Sequence, residues 1–116
     1  MIDIEREAKE IQAYLEITCS DNPVEMVERL SILNVYMART GVLLADAIRI
    51  RDMAMNGIYE REFDRINNMK PSVASKYIES CTAEENRLVV WLDRLTKACT
   101  HHILHLRTMI MFDKQK

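Results

Sequence analysis

Residues 85–112 read ENRLVVWLDRLTKACTHHILHLRTMIMF, and two stripes run along them at helical spacing. Leu88, Leu92, Leu95, Cys99, His102, Leu106 and Met109 follow one another at alternating steps of four and three residues, the spacing of a seam that one helix presents to another. Beside it, Arg87, Trp91, Arg94, Lys97, His101 and His105 fall at three- and four-residue steps and form a cationic stripe holding one indole. The first stripe predicts packing, and the second is the candidate binding face.

Outward from this stretch the chain is short of helix breakers. It has two glycines and two prolines in 116 residues, far below ordinary usage, so long helices are expected. On the N-terminal side, NNMKPS (67–72) marks a reversal, because asparagine ends helices well and proline suits the first helical position. Before it, Leu30, Leu33, Met37, Gly41, Leu44, Ile48, Met55, Ile58 and Ile66 trace one stripe from Pro23 onward. This predicts a single helix over residues 23–67, roughly 65 Å long at the α-helical rise, with Gly57 as the one place where it would break. A second signature, SDNPVE (20–25), starts that helix: Asn22 can cap it, Pro23 can occupy its first position, and Glu25 can reach back to complete a capping box. Ile4, Ala8, Ile11, Leu15 and Thr18 give a short amphipathic helix over residues 2–19.

The fold expected is therefore all-α: one helical domain, residues 1–116, with helices at about 2–19, 23–67 and 72–112. The second and third form a long antiparallel hairpin with the short N-terminal helix beside it. Residues 30–55 are apolar on more than one face, since Ile32, Val35, Val42, Leu43, Ile50 and Met53 lie off the main stripe. A helix apolar nearly all round is a buried one, and a second copy is the simplest cover, so an oligomeric bundle is expected. Its interface is assigned to Leu30, Leu33, Met37, Gly41, Leu44, Ile48, Leu92, Leu95 and His102.

The net charge of -2 hides an asymmetry. Residues 1–30 hold eight acids against Arg6, Lys9 and Arg29, whereas residues 86–116 hold six Lys and Arg against Asp93 and Asp113. An acidic first helix lying on the basic last one would neutralise much of this, and the overall sign argues against duplex nucleic acid as a partner. Cys19, Cys81 and Cys99 are odd in number and share no CxxC spacing, which points to reduced thiols and a cytoplasmic chain. The acidic start is no secretory signal, and no apolar run reaches the ~18 residues of a membrane span.

Catalytic motifs are missing: there is no GxSxG, no phosphate-cradling glycine loop and no Cys–His pair with an orienting third group. The chain is read as a non-enzyme without cofactor. Cys99, His101, His102 and His105 suggest a metal site at first sight, but the glutamate of HExxH and the ExxH pairs of di-iron bundles are missing, so no metal is expected. The cationic stripe carries the binding expectation instead. Guanidinium groups take phosphate in bidentate fashion and an indole stacks on a base, so Arg87, Trp91, Arg94, Lys97, His101 and His105, with Arg39, Arg49 and Arg51 of the second helix, are the candidate ligand residues. The competing expectation is that these cations pair with Asp46, Asp52, Asp93 and the acidic first helix.

LNVYMARTGVLLADA (33–47) and EENRLVVWLDRLTKACTHHILHLRTMI (84–110) resemble a group of small all-helical proteins of unknown function encoded in phages, prophages and mobile elements of gut anaerobes. The resemblance covers residues 26–112 and implies a genomic setting, a protein acting in the host cytoplasm during phage infection, without assigning an active site. Three functions follow as expectations. The first is an oligomeric interaction protein that docks a phage or host protein. The second is an anti-defence sponge, similar in general style to the small helical phage proteins that hold cyclic nucleotides in pockets at subunit interfaces. The third, weaker because of the negative net charge, is an accessory protein for single-stranded nucleic acid.

Overall fold

The computed structural model describes residues 1–115, Gln115 by its backbone alone. The chain is all-helical among the described residues: α1 (Ile2–Leu15), α2 (Pro23–Arg61), α3 (Phe63–Asn67), α4 (Pro71–Cys81) and α5 (Ala83–Gln115). The expected hairpin is present as α2 packed along α5, with α1 laid against both, in a body 68 × 26 × 18 Å.

Asn22 starts α2 as the sequence predicts, its side chain accepting from the backbone N–H of Val24 (2.9 Å) and of Glu25 (3.4 Å), with Pro23 next. The reciprocal half of the capping box is made differently. The Asn22 N–H donates to Ser20 Oγ at 3.1 Å, so Ser20 fills the role expected of Glu25.

The helix ends differ from the sequence expectation at three places. α1 stops at Leu15, four residues early, where Arg29 of α2 donates to the Tyr14 carbonyl at 3.4 Å and the Ile17 N–H closes a tight turn onto the same oxygen at 3.1 Å. The second helix breaks at Glu62 and not at Gly57. Glu62 leaves helical geometry (φ -123°, ψ 31°) yet its N–H still reaches the Ile58 carbonyl at 3.0 Å, so the chain bends without losing that bond. The third helix is divided at Thr82 (φ -114°, ψ 23°), a buried residue whose hydroxyl donates to the Ile78 carbonyl at 2.9 Å. Threonine competes for backbone carbonyls in this way, which makes the break inexpensive. Around these breaks, Ile58 of α2 forms a small core with Ile66, Ala74 and Ile78.

The main core lies between α1, α2 and α5: Ala8 and Ile11 from α1, Leu43 and Ala47 from α2, and Leu88, Leu92, Leu95 and Cys99 from α5. Toward the C-terminus it continues as Met26, Leu33, Ile103 and Leu106. The α5 seam is buried at Leu88, Leu92, Leu95, Cys99 and Leu106, while Ile103 takes the core place expected of His102, and Met109 is exposed. On α2 the buried line is Arg29, Leu33, Thr40, Leu43 and Ala47, rotated from the expected stripe. Thr40 is fully buried because its hydroxyl donates to the Met37 carbonyl at 2.9 Å, leaving its methyl for the core.

This rotation changes what the expected interface residues do. Leu33, Leu92 and Leu95 are buried within the chain's own core, while Leu30, Met37, Leu44, Ile48 and His102 are half-buried. Gly41 alone of that set is exposed, with open space where a Cβ would stand. The residues left facing outward on α2 are different ones: Val24, Val27, Ile32, Val35, Val42 and Met53.

Candidate functional site

The cationic stripe follows α5 as predicted, but its charges meet acids of their own helix. Arg87 pairs with Glu84 (3.4 Å) and Lys97 with Asp93 (2.9 Å), each about one turn away. The acidic first helix contributes elsewhere. Glu7 of α1 receives both Nε and Nη2 of Arg39 on α2, the latter at 3.0 Å, in a bidentate pair that holds the Glu7 carboxyl below its ordinary range. What α1 offers α5 is Gln12, whose side-chain oxygen accepts the Trp91 indole N–H at 3.2 Å. Neutralisation of the stripe by the first helix is therefore replaced by local pairing along α5.

Six of the nine candidate ligand residues line hollows along α5, Lys97 among them in a shallow one beside Ala98, His101 and His102. Arg87, Trp91 and Arg94 line a groove of about 580 Å³ with Glu79, Asn86 and Val90. Arg94 has no ion-pair partner among the described residues, and neither has Glu79 in the same groove. His101 and His105 line a second groove, about 690 Å³, between the end of α1 and the C-terminal half of α5. Arg39, Arg49 and Arg51 line neither groove. Arg51 contacts Asp52 (3.4 Å) and Asn86 (3.3 Å), and Arg49 lies against the Met53 sulfur at 3.6 Å. One protomer thus gathers at most three of the nine around any single ligand position.

Arg29, absent from the sequence candidates, stands at the histidine groove. It is 8% exposed and lies 4.7 Å over the Tyr14 ring, while donating to the Tyr14 carbonyl. A cation at a helix C-terminus is favourable, and the Tyr14 face adds a cation–π contact, so its first role is to hold α1 in place. Its field has a consequence for His102. Burial first, then the nearby positive charge of Arg29 and the neighbouring histidines, press the His102 pKa below its ordinary value. Nothing in the sequence spacing marks Arg29, since a lone arginine between Glu28 and Leu30 reads as surface.

Cys99 is fully buried, and burial pushes its thiol upward, away from thiolate chemistry. Among the described residues no three His, Cys, Asp or Glu side chains are arranged to hold a metal ion, and no helix is long and apolar enough to cross a membrane. Comparison of the chain with protein-family models, with curated proteins and with solved structures gave no match.

Proposed function

We propose that this chain is a non-enzymatic interaction protein, a self-associating helical hairpin that presents its outer faces to protein partners, with phage infection as the setting suggested by the sequence resemblance. The observation that carries the reading is the outer face of α2. The chain completes its core with the opposite face, yet leaves Val35 65% and Val42 50% exposed on this one, with Val24, Val27 and Met53 in the same condition. Contiguous apolar surface of this kind on a small domain marks an interaction site. Native mass spectrometry of the purified full chain is the test. Assemblies at multiples of 13.6 kDa without retained small molecules are expected; a monomer at every concentration overturns the self-association.

The sponge is the second reading, and one observation favours it: Arg94, without an acidic partner among the described residues, stands beside the Trp91 indole and Arg87 in one groove. A second chain closing over that groove would create a stacking surface between cations. A nucleotide retained in the same mass spectra, together with a thermal shift on adding cyclic nucleotides that Arg94→Ala abolishes, would favour this reading over the first.

A further inference from the structure

Along the outer face of α2, Ser31, Val35, Ala38, Val42 and Ala45 succeed one another at steps of four, three, four and three residues. All five are exposed. The row reads small, valine, small, valine, small from either end, with Ala38 at its centre. Glu28 bounds it three residues before Ser31, and Arg49 bounds it four residues after Ala45. The two charges stand about 32 Å apart along the helix. Neither has an ion-pair partner among the described residues, nor has Asp46 three residues before Arg49, whereas Arg39 is engaged with Glu7 and Asp52 with Arg51.

We propose that this face docks on the same face of a second copy of the chain, the two α2 helices running antiparallel across a two-fold axis near Ala38. The proposal rests on the self-association reading above and specifies its geometry. An alternating four-three row is what packs knobs into holes between two helices, and small side chains at every second place let the backbones approach closely. A two-fold interface must be complementary to itself. Reversal keeps the alternation of small residue and valine, with the four- and three-residue steps exchanged, and brings Glu28 of each copy to the level of Arg49 of the other, so both of these charges are paired, twice. A parallel arrangement keeps the shape match but sets Glu28 beside Glu28 and Arg49 beside Arg49, which like-charge repulsion disfavours. Gly41 sits at the edge of the row with nothing within 4 Å of a Cβ position. A mid-helix glycine is unfavourable by itself, so its own chain gives no reason for it, and close approach of another helix does.

The test uses the full chain with Cys19→Ser and Cys81→Ser, which removes the two accessible thiols and keeps buried Cys99. Sedimentation of Glu28→Lys and Arg49→Glu should show each weakening the dimer by about tenfold or more, while the double variant, which restores opposite charges in the antiparallel pair, returns within a few-fold of the parent. In the same background, a Ser31→Cys chain mixed with an Ala45→Cys chain should give a disulfide-linked mixed dimer, and Ser31→Cys alone should not. Helical circular dichroism checks folding of each variant, all of which alter exposed positions except the half-buried Cys19 of the common background. A dimer indifferent to both charge reversals, or one that links Ser31→Cys to itself, overturns this packing and leaves self-association standing. A chain monomeric at every concentration overturns both.

Discussion

Gly41 and Tyr77 show how one side chain's surroundings set its contribution. At Gly41 the helix interior has room for a methyl group, and alanine is favoured over glycine in a helix by about 1 kcal/mol. Gly41→Ala is therefore expected to raise the melting temperature of dilute protein by a few degrees, measured by circular dichroism. Tyr77 donates its hydroxyl to Glu62, 2.7 Å from each carboxylate oxygen, and this hydrogen bond, helped by desolvation, pushes its pKa from 10.0 up to about 12. Folding thus favours the protonated phenol. That contribution is whole below pH 10 and is lost as pH rises through about 12. Ultraviolet titration should find one phenol ionising near 12, and Tyr77→Phe should remove it and flatten the corresponding alkaline loss of stability.

At the scale of elements, α1 is the helix whose hold on the rest can be read most directly. Ile11 and Ala8 enter the core, Glu7 clasps Arg39, Gln12 accepts from Trp91, and Arg29 closes the helix end. These contributions are unequal. Ile11 is 1% exposed, and cutting it to alanine is expected to cost about 2–5 kcal/mol. The Glu7–Arg39 pair is partly exposed, so Glu7→Gln should cost no more than about 1 kcal/mol after solvent screening. Because Arg39 lowers the Glu7 pKa, that smaller contribution is present above the carboxyl's unfolded value and is lost as pH falls through the folded one. Trp91, the single tryptophan, reports on the docking: Gln12→Ala frees its N–H and should shift its emission toward the red with little change in overall helicity.

At the scale of the whole molecule, the hairpin places its unused apolar surface on the long outside of α2 while the cationic stripe lies along α5. The two surfaces are then available for different purposes. The proposed dimerisation through α2 would leave the Arg87–Trp91–Arg94 groove of α5 free, and Arg94→Ala is accordingly expected to leave the sedimentation behaviour unchanged. Loss of the dimer in that variant would show that the two faces are not separate.

What the sequence determined by itself was whatever rests on local chemistry: the helical class, the start of α2 at Asn22 and Pro23, the reversal at NNMKPS, and the α5 seam from Leu88 to Cys99. Each follows from side chains acting on their own backbone or from a simple spacing. The tertiary structure decided the rest. α2 is apolar on so many sides that spacing alone could not say which would face α5, and the buried line passes through Arg29 and Thr40, whose polar atoms are satisfied only by particular carbonyls. The breaks at Glu62 and Thr82 were likewise hidden, since neither residue is a breaker and each leaves the helix because partners compensate. The candidate binding residues were legible as a stripe, and so was pairing with Asp93, which Lys97 makes, but not their partition between grooves or the choice of Glu84 for Arg87, because a stripe records angular position on one helix and says nothing of what its neighbours supply.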